Sequence, residues 1–253
     1  MKRATPNTLL RTLSNGISAL QMAILAAALM FTAGLRAAEP EYRDLRRIEP
    51  IHGDATAGGQ KAAVCFACHG ANGASVAPTF PRLAGQRIQY LYTRLVSFKR
   101  ADPKDPYYSA SAMTPNVATL NDNDMRNLAA FFSAQTPTVA APAAPAEPAD
   151  PGVKGQALYL TGDPTRGIPP CQGCHGAEAS GPVKGSSQYP AYPSLRGQYA
   201  PYLVARLTSF RKGLPHDTTN DFIMTSVAQT LDDDSIQAIA AWLSSLTPVV
   251  SLW

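Results

Sequence analysis

The sequence predicts an all-α protein of two tandem helical domains. Three observations lead there: an internal repeat that aligns without gaps, apolar spacing that follows the helical period with no alternating strand pattern of useful length, and an Ala/Pro-rich segment between the two copies. The 253 residues leave room for two small domains at about 100–200 residues each. Charged residues make up 16% and hydrophobic residues 45%, against about 25% charged in ordinary soluble domains, so a charge-rich disordered chain is excluded.

The first 38 residues carry Lys2, Arg3, Arg11 and Arg36, no acid, and an uncharged apolar run from Ile17 to Leu35, which reads as a secretory signal or an N-terminal membrane anchor. Removing those four from the 22 basic residues leaves 18, equal to the 18 acids. A neutral remainder without a basic stripe gives nucleic acid nothing to bind. A charged extension, residues 39–53, comes next.

Domain 1 spans residues 54–136 and domain 2 spans 152–253. In the first, helices are expected at Ala57–Cys68, at Gly85–Arg100 with the apolar stripe Ile88, Leu91, Leu95 and Phe98, and at Asn121–Ala134 with Asn121 or Asp122 as N-cap. In the second they are expected at Gly152–Leu160, Gly197–Lys212 and Asp232–Leu246, where three Asp residues crowd the positive helix end. Residues 137–151 form the linker, almost entirely Ala and Pro, an extended spacer that cannot build a core. Pro81–Ala101 lies over Pro193–Gly213 with 10 identities in 21 positions, and Met113–Leu120 lies over Met224–Leu231.

All four cysteines fall in two strings, Cys65-Phe66-Ala67-Cys68-His69 and Cys171-Gln172-Gly173-Cys174-His175. Two disulfides, a four-thiolate zinc site and a thiol redox pair each use such spacing. The histidine after each pair favours a fourth reading, since C-x-x-C-H is the attachment pattern of c-type haem. Two thiols one helical turn apart each form a thioether to one porphyrin, and the adjacent imidazole reaches the iron. Two haem c groups are therefore expected, with His69 and His175 as axial ligands.

The aligned Met113 and Met224 are the candidates for the other axial position, because they recur in a loop that precedes a helix and thioether ligation suits a high-potential haem. Met125 aligns with Ile236 and reads as a core position. His52 and His216 lack a histidine at the repeat-equivalent position and read as surface residues. A prolyl carbonyl in the Gly/Pro/Ser-rich loops, at Pro78/Pro190 or at Pro81/Pro193, is a candidate acceptor for the proximal imidazole. The aligned Gln86/Gln198, Tyr90/Tyr202 and Arg94/Arg206 stand one turn apart on one helix; haem propionates, the other domain and solvent are the alternatives for them.

With two C-x-x-C-H strings, the repeated P-x-L-x-G-Q segments (Pro81–Gln86, Pro193–Gln198) and the paired Met-Thr loops, residues 54–248 resemble the dihaem cytochrome c4 family. That resemblance implies two cytochrome c-like domains packed about a pseudo-twofold axis, low-spin His/Met haems with propionate edges facing each other, and a periplasmic carrier, often membrane-associated, running from a cytochrome bc1-type complex to a terminal oxidase. The long linker and the extension at Glu39–Ile51 depart from the family pattern. With both irons closed by Met, the protein relays electrons and catalyses no bond chemistry, and the different residues inside the two strings lead to unequal potentials. Two other readings stand beside it: the cytochrome subunit of a dehydrogenase such as a flavin-linked sulfide dehydrogenase, and a dihaem peroxidase with one iron lacking Met.

Overall fold

Each half closes where its first helix crosses its last at backbone distance. The computed structural model describes residues 42–46, 48–75, 77–102, 104–137, 151–182 and 191–248, all within one compact unit that begins at Tyr42. The signal or anchor at residues 1–38, nearly all of the linker, and Pro190 lie outside the described residues.

In the first half α1 (Ala55–Lys61) and α2 (Ala63–His69) are followed by α3 (Ile88–Arg100), α4 (Pro106–Ser109), α5 (Met113–Val117) and α6 (Asp122–Ala134). The second half has α7 (Pro151–Thr161), a 3-10 turn at Pro164–Arg166, α8 (Gln172–His175), α9 (Ala200–Arg211), α10 (Thr219–Ala228) and α11 (Asp233–Ser245). Among the described residues there are only two isolated β-bridges, Arg43 with Thr218 and Asp163 with Ile168. No described helix is long and apolar enough to cross a membrane.

The packing repeats with the sequence. α1 lies on α6 and α7 on α11, while α3 and α9 pack on the same terminal helices. A methyl group on Gly58 would run into the carbonyl of Asn127, and one on Gly155 into the carbonyl of Ala238. Asn127 and Ala238 are repeat-equivalent, so both halves use glycine at one crossing. Leu91, Leu128, Ala129 and Phe132 form the first core, and Leu203, Ile236, Ile239 and Leu243 lie in the second.

Boundaries differ from the sequence expectation where capping decides them. The expected Ala57–Cys68 helix is broken at Ala62, a fully buried residue that ends α1 and begins α2. Asn121 caps α6 reciprocally with Asp124, and Asp232 caps α11 by accepting from Ser235 N. The expected methionine loops are helical: Met113 opens α5 and Met224 sits inside α10. α10 starts early because Thr218 and Asp221 form a capping box.

The two halves dock through repeat-equivalent residues. Gln86 Nε2 donates to Ser194 O at 2.9 Å and Gln86 Oε1 accepts from Ser194 N at 2.9 Å. Gln198 Nε2 donates to Arg82 O at 3.1 Å and Gln198 Oε1 accepts from Arg82 N at 2.9 Å. Residues 82 and 194 are equivalent, as are 86 and 198, so exchanging the halves reproduces the contacts, which is the signature of an approximate twofold axis. Arg82 stacks on the Tyr199 ring at 4.2 Å across the same boundary.

The extension ahead of the first domain joins this interface from the other side. Arg43 N donates to Asp217 O at 2.7 Å, Thr219 N donates to Arg43 O at 2.9 Å, and Leu45 N donates to Thr219 Oγ1 at 2.9 Å. Arg43 Nη2 reaches Asp217 Oδ2 in the second half and the Ser97 hydroxyl in the first, each at 2.6 Å. Ser97 Oγ itself donates to Asp217 Oδ2 at 2.6 Å. Burial pushes the Asp217 carboxyl up, but the hydrogen bonds from Arg43 and Ser97 and the charges of Arg43 and Arg94 outweigh it and hold it below the usual carboxylate range.

Gly58→Ala and Gly155→Ala are each expected to cost about 1–3 kcal/mol by forcing the helices apart, read as a lower denaturant midpoint at unchanged slope. Arg43→Ala is expected to cost about 1–3 kcal/mol, the value of a charge-assisted hydrogen-bonded group. Because Asp217 is depressed in the folded state, its contribution is full above the unfolded carboxylate range and is lost as the pH falls through the folded value. Asp217→Asn should therefore narrow its stability deficit against the wild type as the solution is acidified, which urea titrations across the acidic range would measure.

Candidate haem sites

Each cysteine pair lies on one helical turn that ends at a glycine. Cys65, Cys68 and His69 belong to α2; Cys171 caps α8, which carries Cys174 and His175. Gly70 and Gly176 follow with φ of 72° and 77°, the left-handed region open to glycine, and the chain turns back there. Ser75 N then donates to His69 O at 2.7 Å and Gly181 N to His175 O at 2.9 Å.

The thiols decide between the readings open to such pairs. All four are free. Burial pushes Cys65 and Cys174 up and Cys171 up to about 11, whereas a redox-active pair needs a depressed thiol. Among the described residues no three metal-ligating side chains of the His, Cys, Asp and Glu type converge, so the pairs do not combine into a zinc site.

The imidazoles are buried, 5% exposed at His69 and 7% at His175. His69 Nδ1 lies 3.0 Å from Pro81 O, and His175 Nδ1 lies 3.1 Å from Pro193 O. A carbonyl only accepts, so Nδ1 carries the proton and Nε2 keeps a free lone pair. Burial lowers both imidazole pKa values against the smaller raising effect of the carbonyls, which keeps the rings neutral. A neutral ring with Nδ1 held and Nε2 free is the form that ligates a metal.

Of the two proline pairs left open by the sequence, Pro81 and Pro193 are the acceptors. Pro78 is exposed, because the Ser75 hydroxyl bonds Ala77 O and Phe80 O and folds the intervening turn outward. Pro190 lies outside the described residues. Met113 and Met224 are half-buried and belong to neither core cluster, whereas Met125 and Ile236 are buried. His52 and His216 are exposed.

Arg94 and Arg206 face the opposite half. Arg94 Nη1 pairs with Asp221 Oδ1 at 3.2 Å. Burial is the largest influence and would lower Arg94, but Asp221 together with Tyr90, Tyr108 and Tyr202 outweighs it and the guanidinium is held above its ordinary value. Arg94 Nη2 and the Tyr108 hydroxyl are buried and complete no hydrogen bond among the described residues. Arg206 donates to the Tyr107 hydroxyl and stacks on the Phe210 ring at 4.5 Å. It has no carboxylate at ion-pair distance among the described residues, and burial, with the Arg94 charge, pushes it down to about 10. The sequence reading missed Asp221 as the partner of Arg94, although Thr218-x-x-Asp221 is a legible capping box.

The residues therefore fit one haem c per half: paired free thiols, a neutral imidazole with Nε2 available, a methionine outside the core, and unspent donors at the boundary. The family model described as cytochrome c matches residues 56–135 and 152–247. Cytochrome c4 of Azotobacter vinelandii is 38% identical over 198 residues, 77% of this chain and 90% of that protein. The crystal structure of reduced recombinant cytochrome c4 from Pseudomonas stutzeri superposes with a TM-score of 0.65 at 36% identity, over 77% of this chain and all of that one. A thiosulfate dehydrogenase electron acceptor of Stutzerimonas stutzeri is 35% identical over 186 residues, 73% of this chain and 80% of that protein. The chain belongs to the cytochrome c4 family, tandem cytochrome c domains that carry two haem c groups.

Proposed function

We propose that this protein is a periplasmic electron carrier in which Cys65 and Cys68 attach one haem and Cys171 and Cys174 the other. His69 with Met113, and His175 with Met224, are the axial pairs. The observation that carries the reading is the duplicated imidazole, buried, neutral and fixed through Nδ1 beside two free thiols. When bound, haem c supplies a one-electron couple. The chain's own part is to anchor it through the four sulfurs, orient each imidazole, and fill the remaining axial position with a thioether, so that no site is left for a substrate. Arg94 Nη2 and Tyr108 OH, buried side by side with no completed hydrogen bond among the described residues, are suited to a propionate at the domain boundary. Arg206 is the matching cation on the other side.

A cytochrome bc1-type donor and a terminal oxidase acceptor suit such a carrier, and the basic, then apolar, N-terminal segment supports export with optional membrane association. The similarity to a thiosulfate dehydrogenase electron acceptor favours a second reading, service as the dihaem partner of a periplasmic dehydrogenase. Reduction of the purified protein by bc1-type membranes but not by a dehydrogenase with its substrate would decide for the first.

Ferric protein should show the weak far-red charge-transfer band of methionine–sulfur ligation at two-haem intensity. Met113→Leu and Met224→Leu should each halve that band and leave a high-spin signal, with no peroxide turnover in the wild type. A full band in either variant would remove that methionine from the ligand set.

A further inference from the structure

Pro81 O and Arg82 N belong to one peptide group, and so do Pro193 O and Ser194 N. The carbonyl of the first accepts from His69 Nδ1 at 3.0 Å, while its N–H donates at 2.9 Å to Gln198 Oε1 of the second domain. The carbonyl of the second accepts from His175 Nδ1 at 3.1 Å, while its N–H donates at 2.9 Å to Gln86 Oε1 of the first domain. Each histidine is thus joined, through a single peptide unit, to a glutamine of the other domain.

We propose that Gln198 is a positioning residue for His69, and Gln86 for His175, each acting across the domain boundary. An acceptor on a peptide N–H polarises the peptide and makes its carbonyl a stronger acceptor. A stronger acceptor at Nδ1 makes the imidazole a better donor through Nε2, because the partner of the non-ligating nitrogen sets ligand basicity. Both glutamines are buried, Gln86 7% and Gln198 6% exposed, which limits the access of water to these bonds. Each Nε2 also donates to the carbonyl of the following peptide, Ser194 O or Arg82 O, so the glutamine holds residue 194 or 82 at both its N–H and its C=O. Undocking the domains would therefore change both histidines without touching either.

The proposal rests on His69 and His175 being the iron ligands, and its test separates the two. In the full-length, haem-loaded protein, Gln198→Leu should move the Nδ1 proton resonance of His69 upfield and raise the reduction potential of the first-domain haem, leaving His175 in place. Gln86→Leu should do the converse. Gln198→Glu keeps an oxygen acceptor and adds charge, so it should move the same signals the opposite way. Small-angle scattering with an unchanged radius of gyration would show the domains still docked; if Gln198→Leu separates them, Gln198→Glu and its sign carry the test. Shifts in the same domain as the substitution, equal shifts in both, or none, overturn the proposal. Failure of the ligand assignment would instead appear in the wild type, as missing haem or a missing sulfur band.

Discussion

A peptide group shielded at a domain boundary must satisfy both its N–H and its C=O, and the two X-Pro-X segments of this protein do so with unlike partners. At Pro81–Arg82 and at Pro193–Ser194 the carbonyl is taken by the imidazole of its own domain and the N–H by the glutamine of the other. Site and interface consequently share atoms. The segment Pro81–Gln86 orients one ring, receives one glutamine and supplies another, and Pro193–Gln198 repeats it. A shifted docking would break all four glutamine bonds together, which makes it costly wherever the displaced groups stay shielded from water.

The haem attachment was legible because covalent attachment demands particular residues at fixed spacing, and the repeat singled out Met113 and Met224 by aligning them. The core was legible for the same reason: Met125 and Ile236 occupy one buried position in the two halves. Other features were set by tertiary contact. The choice of Pro81 over Pro78 depends on the Ser75 turn. The helical state of Met224 depends on a Thr–Asp cap, and the close crossing at Gly58 and Gly155 on carbonyls far along the chain. The aligned Gln, Tyr and Arg positions drew notice as identities, but a helix face carries no sign of whether a ligand, a domain or water covers it.

Symmetry fails at the charge that faces the aligned arginines Arg94 and Arg206. Asp221 compensates Arg94, but its repeat equivalent is Ala110, and Arg206 is left to aromatic faces and the Tyr107 hydroxyl. A partly buried cation without a carboxylate raises the local potential, while the paired one is nearly neutral at a distance. Duplicated modules thus present unlike electrostatic surroundings at their shared boundary while the backbone scaffold stays the same.

Arg43 precedes the first domain in sequence yet hydrogen-bonds Asp217, 174 residues downstream, and Tyr42 stacks on Phe222. Sequence separation of that size makes the clasp a costly loop to close, and although Ser97 offers Arg43 a first-half partner, its second-half partners exist only once Asp217 and α10 are in place. During synthesis the first domain can complete its own core early, whereas the clasp waits for nearly the whole chain. The segment Tyr42–Leu45 is therefore among the last of the described parts to reach its place, and its arrival marks the two-domain body as finished.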